Sequence, residues 1–485
     1  MRPLETLLHC ILLIAIIATL RSAPPGSWLI IIVSGSVAIA IAHLTIERFR
    51  WQMIPAYFLV ATCACWFLLP VPAMFSAPMM LALLAVWFWG PLFCIAYPVF
   101  RLPKPTGKYC VGTQIRYFRS ETRLDPFRED TKTMRELMLQ VWYPADPLTG
   151  ASRASYRPAH SVTFRNGRFA LAKTNSLLDA PFVSGETRHP ILLFVPSWRG
   201  QRQECTALAE EFSSRGYVVI GIDHPSLSQR VVFPDGRVQL AVDMPGEDYS
   251  SEAALKAFVT SAEFQVSVRL ADVREVLDLV ERWAENDSGQ IFTHRLDTNH
   301  TGICGFSIGG STACEACGIE TRLRAGLNLG GLVVGNCLTS GPQKPFLFIF
   351  DDDPAINPVN LDHQDSARRR AAAFGAAQVA AMCQMLERHG GYWLRIPGTT
   401  HSDLSDVPFF SPFRWIRKGG TADRKYVWQI IRSTSVEFFE QHLKSNVSIP
   451  FVSFATTFPD VELRPFSGAM HSVKGETDVN DGSTN

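Results

Sequence analysis

The chain of 485 residues has room for two or three domains, and 47% of it is apolar against only 19% charged. A net charge of +1 gives no basic surface for nucleic acid and no field to attract a strongly acidic partner. The eleven cysteines are odd in number and lack framework spacing, so they read as free thiols in a reducing compartment, not as a disulfide scaffold.

Four apolar runs crowd the first hundred residues, at about 4–20, 28–46, 53–69 and 78–100. Each approaches the ~20 residues that a helix needs to cross a bilayer. Only Glu5, at the edge of the first run, carries a formal charge. Residues 1–102 are therefore expected to form a four-helix transmembrane region. Three further runs keep the chain in a membrane even if the first were cleaved as a signal peptide. Arg2, the Arg48/Arg50 loop and the Arg101, Lys104, Lys108 segment share one side, which the positive-inside rule makes cytoplasmic. The expectation is a multi-pass protein of a bacterial inner membrane with its large domain in the cytoplasm. No charge lies deep in a span, which argues against a transporter path.

Residues 103–107 read as a stiff linker, 108–466 as the second domain, and 467–485 as a small, polar, disordered tail. Strands are expected at 111–118, 136–143, 191–195, 217–222, 325–329, 346–350 and 392–396. Helices are expected at 204–215, 251–285, 367–388 and 426–443. A hairpin turns at Asp235 and Gly236. Residues 145–189 read as a surface excursion. Apolar strands alternating with helices predict an α/β fold: a mostly parallel sheet with helices on both faces and its chemistry at the carboxyl ends of the strands.

The densest signal is at 300–311, a short apolar strand, a sharp turn and a small-residue helix. Gly305, Ser307 and Gly309 make the G-x-S-x-G pattern of a nucleophile elbow, in which a strained serine needs neighbours without side chains. A serine needs a base. His401, on the loop after strand 392–396, comes after the serine as the Ser…acid…His order demands. His224, His389 and His442 are weaker choices. The amide of Ile308 and that of Trp198 or Arg199 are the expected oxyanion donors. Cys314 and Cys317 read as core packing, since no further zinc ligands are spaced around them. Asp272 and Arg269 read as a surface pair on the long helix. The chemistry calls for no metal and no cofactor.

The segments RELMLQVWYP (135–144), LFVPSWRG (193–200), GFSIGG (305–310), RAGLNLGG (324–331) and GTTHSDLSD (398–406) together resemble the platelet-activating factor acetylhydrolase family of α/β-hydrolases, from about 107 to 451. The resemblance implies a calcium-independent serine esterase for short or oxidised acyl chains on phospholipids or on smaller esters. It implies Ser307 and His401 as serine and histidine, with an oxyanion amide at or near Arg199. It also implies a triad aspartate after the strand that follows the elbow, where this chain has Gly330. Many α/β-hydrolases carry the acid one strand later, and here that strand runs into Asp351, Asp352 and Asp353. Asp353 is the expected acid and Asp352 the second choice. The alternative is a hydrolase fold without a working acid, serving as a membrane sensor or scaffold.

Overall fold

The computed structural model describes residues 1–20, 27–68, 77–128, 132–352, 361, 363–444 and 457–468. Two compact units emerge. The first comprises Met1–Arg101, Ser155–Lys173 and Pro408–Arg417; the second comprises Leu102–Ala154, Thr174–Val407 and Lys418–Asn485.

The first unit contains helices α1 (Pro3–Leu20), α2 (Ser27–Ala42), α3 (Ile54–Leu68) and α4 (Ala77–Ala96), joined by the short α5 (Arg168–Leu171) and, late in the chain, by Arg414–Arg417. Among the described residues, Ile30–Glu47 and Pro78–Ala96 are long and apolar enough to cross a membrane; Pro3–Ala18 and Trp51–Cys65 are shorter apolar helices. Two of the four expected spans thus reach the required length and apolarity. The third run loses only its first residue, Met53, to a tight turn, Trp51–Met53. Charged helix ends are tied together: Glu5 is buried between Arg2 and Arg50, each 2.8 Å away. Phe100, Tyr156, Phe169 and Phe410 pack as one aromatic cluster, with ring centroids 4.7 Å apart for Phe100 and Phe410.

The second unit is built on one sheet. Its strands are β1 (Cys110–Leu124), β2 (Met134–Ala145), β3 (Arg153–Ser155), β4 (Lys173–Leu178), β5 (His189–Val195), β6 (Val218–Asp223), β9 (Leu296–Phe306), β10 (Leu323–Leu329), β11 (Phe346–Phe350), β12 (Gly391–Arg395) and β13 (Glu462–Phe466). A separate hairpin pairs β7 (Arg230–Val232) with β8 (Val238–Leu240). The sheet order is β13-β12-β11-β10-β9-β5-β6-β2-β1-β4-β3. The run from β6 to β12 is parallel, while β2 on one side and β13 on the other are antiparallel to their neighbours.

Period two along each strand sends alternate side chains into two cores. Phe346, Phe348 and Phe350 join a core roofed by α7 (Glu252–Asn286), α8 (Ile308–Ile319) and α10 (Ser366–His389). Leu347 and Ile349 join the other, closed by α6 (Thr206–Ser214) and α12 (Arg424–Leu443). A parallel sheet buried on both faces needs this continuous apolar sequence. The excursion expected at 145–189 in fact contributes β3 and β4, and β13 adds an edge strand that the sequence reading lacked. The tail from 469 lies outside the described residues.

Two expectations about side chains need correction. Cys314 on α8 and Cys337 on α9 (Cys337–Ser340) form a disulfide, with Cα atoms 6.3 Å apart. Cys314 and Cys317 both lie in the core, as expected, but the thiol expected to be free at Cys314 is bonded to a cysteine 23 residues on. The other nine cysteines are free. Asp272 and Arg269 are not on the surface; both are fully buried. Asp272 accepts from Arg135 (3.0 and 2.8 Å) and from Arg123, and it lies 2.7 Å from His224 Nδ1. Arg269 donates to the Gln265 side chain (3.0 Å) and to the Ser197 carbonyl (3.5 Å).

Candidate active site

β9 delivers the chain to Ser307, which adopts φ +57° and ψ −128°, and α8 starts at the next residue. A non-glycine residue at positive φ stores strain that the surroundings must hold. Both motif glycines have steric reasons. A Cβ on Gly305 would lie 2.0 Å from the Gly309 carbonyl oxygen, and one on Gly309 would lie 2.1 Å from that of Val195. The Ser307 amide donates to the Leu329 carbonyl at 2.8 Å, which ties the elbow to the neighbouring strand.

His401 opens a short 3-10 turn, His401–Leu404. Thr400 caps it by donating its amide and hydroxyl to Asp403 (3.0 and 3.1 Å), and Gly420 donates to the same carboxylate (2.7 Å). The imidazole stacks on Phe306, the residue before the serine, with centroids 4.7 Å apart and planes 22° from parallel. Ser307 and His401 line the same cavity of about 400 Å³, together with Trp198, Ile308, Gly330 and Asp351.

Asp351, directly after β11, is the carboxylate beside the histidine. Its Oδ2 is 3.3 Å from His401 Nδ1, and only 1% of the residue is exposed. Burial works against a charged His401. The Asp351 hydrogen bond and charge, with smaller help from Glu247 and Glu204, outweigh it and hold the imidazole above its ordinary pKa. Asp352 is turned elsewhere: it accepts from Arg395 at 2.8 Å and from the Gly398 amide at 3.0 Å, fastening β12 and the loop after it. Asp353 lies outside the described residues.

The sequence held a signal for Asp351 that the reading of the acidic run missed. Counting by two from Ile349 sends Asp351 toward the core that contains Phe306, Leu329 and Leu404. That is the side on which the histidine turn sits. Gly330, the position implied by the resemblance, also faces this ring. Its φ is +67°, and a Cβ there would lie 2.9 Å from His401 Nδ1. The carboxylate beside the histidine nitrogen comes instead from the end of β11, the strand next to the one that Gly330 follows.

Ile308 and Trp198 line the cavity, while Arg199 has φ +56° and an exposed side chain paired with Asp243 at 3.0 Å. The loop bearing Trp198 and Arg199 is pinned from below. Ser197 donates its amide and hydroxyl to Glu204 (2.9 and 2.7 Å).

A second histidine–carboxylate pair, His224 with Asp272, is fully buried and does not line the cavity. Burial lowers the His224 pKa to about 4 against the pull of the Asp272 hydrogen bond. In the first unit, Glu5, His43 and Glu47 bring three ligand atoms within 4.8 Å of one another. Arg2 contacts all three side chains, so a guanidinium already supplies the positive charge there.

Residues 95–450 match the family described as platelet-activating factor acetylhydrolase, isoform II. The chain belongs to that family. A probable 1-alkyl-2-acetylglycerophosphocholine esterase of Arthroderma benhamiae is 28% identical over 152 residues, 31% of this chain and 34% of that relative. The matched region thus spans about a third of the curated relative. A ferulic acid esterase from Streptomyces cinnamoneus superposes with a TM-score of 0.57 at 22% identity, covering 76% of this chain and 99% of that one. The second likeness shows the α/β fold shared with an esterase. As a member of the acetylhydrolase family, the chain is similar to carboxylic ester hydrolases.

Proposed function

We propose that the protein is a membrane-anchored serine carboxylic-ester hydrolase acting on short or oxidised acyl esters of phospholipids or on small esters. The observation that carries this reading is that Ser307, on a strained elbow, and His401, held by Asp351, open onto one cavity. With Nδ1 engaged by Asp351, Nε2 of neutral His401 takes the Ser307 proton as Oγ attacks the ester carbonyl. The Ile308 and Arg199 amides receive the oxyanion. The carbon–alkoxide bond breaks, His401 returns the proton to the departing alcohol, and the acyl group remains on Ser307. Water, activated by the same histidine, releases the acid.

The scaffold alternative drew its force from the missing acid at Gly330. Asp351 beside His401 supports the enzyme reading instead. The apolar helices support anchoring, and the basic residues at 48, 50, 101, 104 and 108 support a cytoplasmic catalytic domain. Ser307→Ala is expected to abolish both turnover of p-nitrophenyl acetate and labelling by a fluorophosphonate probe, with unchanged circular dichroism. Wild-type turnover in that variant would sink the assignment.

A further inference from the structure

The charge of the cavity is one-sided. Glu247 and Asp351 line it, and His401 is the one group among the described lining residues that can carry positive charge, with no lysine or arginine beside it. Beside the aliphatic Ala262, Ile308, Leu332 and Val334, part of the apolar wall is aromatic: Trp198 packs on Phe258 (centroids 6.0 Å), and Tyr249, Phe258 and Phe374 stand 6.2 to 6.3 Å from one another. Asp351 is committed to His401. Glu247 is different. It is exposed at the cavity, and among the described residues no hydrogen bond or ion pair neutralises it.

The loop that carries Glu247 is fastened at both ends. Before it, Asp243 pairs with Arg199, and the Val242 amide donates to the Ser226 carbonyl at 2.8 Å. After it, Arg370 of α10 donates to the carbonyls of Tyr249 (2.8 Å) and Ser250. Arg199 and Arg370, the cations that fasten the loop, do not line the cavity. A carboxylate and aromatic faces attract a cation and repel an anion, most strongly where water is partly excluded.

We infer that Glu247 is a specificity-determining residue that makes the cavity select esters with a neutral or cationic group near the reacting carbonyl and reject those with an anionic group there. This rests on the Ser307 esterase reading and adds a charge rule to it. An anionic phosphate or carboxylate on a substrate has to remain outside the cavity. Specificity of this kind is a difference between two substrates, built partly from repulsion of the wrong one.

The test uses p-nitrophenyl hexanoate and two analogues of the same length, one ending in a carboxylate and one in a trimethylammonium group. Native protein is expected to give kcat/KM values in the order ammonium, neutral, carboxylate. Glu247→Gln is expected to lower the ammonium-to-carboxylate ratio roughly tenfold, and Glu247→Lys to reverse the order. A change in the histidine base scales all three esters alike, so the ratio reports charge selection alone. The native ratio should also shrink as salt is raised. If the ratio is the same in native and both variants while hexanoate is turned over, the role of Glu247 is overturned and the esterase reading stands. If native protein turns over neither p-nitrophenyl acetate nor hexanoate, the esterase reading falls and this inference with it; if it turns over acetate alone, only this inference is overturned.

Discussion

A carboxylate at 3.3 Å from a histidine nitrogen fixes the tautomer and favours the charged ring. Asp351 does both for His401, whose pKa is raised. The sign follows: a raised pKa favours the protonated ring in the fold. That contribution to stability is complete below the unfolded value of about 6.5 and is lost as pH rises through the folded one. In the proposed mechanism His401 works as a base only when neutral. Activity is therefore expected to climb with pH through an apparent pKa above the ordinary histidine value. Asp351→Asn should move that midpoint down and lower kcat by up to ~10⁴. Asp352→Asn should leave the midpoint in place, because its partners are Arg395 and the Gly398 amide. Full pH–rate profiles of the three proteins check this. The elbow at Ser307 and the loop histidine His401 stood out in the sequence as candidates because glycine spacing and chain order are one-dimensional signals. The carboxylate that lies beside His401 did not, because adjacent aspartates differ only in which face of β11 they extend, and that depends on strand register.

Among the elements, α7 shows how far a buried charge can hide in an amphipathic pattern. Its apolar stripe was readable, but Arg269 and Asp272 lie within the buried part of the helix. Burial alone would raise the Asp272 pKa, yet the Arg135 guanidinium and the His224 hydrogen bond hold it well below the usual carboxylate range. Removing one member of such a network leaves the others buried and unpaired. Asp272→Ala is expected to cost ~3–5 kcal/mol, visible as a large drop in the denaturant midpoint. Asp272→Asn, which keeps the shape, should cost less. The parallel strands from β6 to β12 were legible because strands buried on both faces are continuously apolar. The short β3 and the edge strand β13 were not, since three residues carry no period and ELRPF contains a charge at each alternate step of its first half and a proline.

For the whole molecule, the basic residues and the disulfide make opposite demands. On the proposed anchoring, the positive-inside rule puts the second unit in the cytoplasm, where a Cys314–Cys337 bond is not maintained. A reporter fused after Asn485 is expected to behave as cytoplasmic. An active alkaline phosphatase at that point would reverse the topology and make the disulfide a permanent feature of the enzyme.

The first unit is assembled from stretches at 1–101, 155–173 and 408–417. During synthesis its helices emerge first, but Phe410, which closes the ring cluster on Phe100, follows on the order of tens of seconds later. Over that interval the face of Phe100 waits for its partner, and Ala96 waits for the Ser411 hydroxyl that will bond its carbonyl. Ending translation before residue 408 leaves Phe100 and Phe169 without the Phe410 ring. A nascent chain of this design needs a holdase, or the bilayer itself, to cover that seam until the last fifth of the message is read.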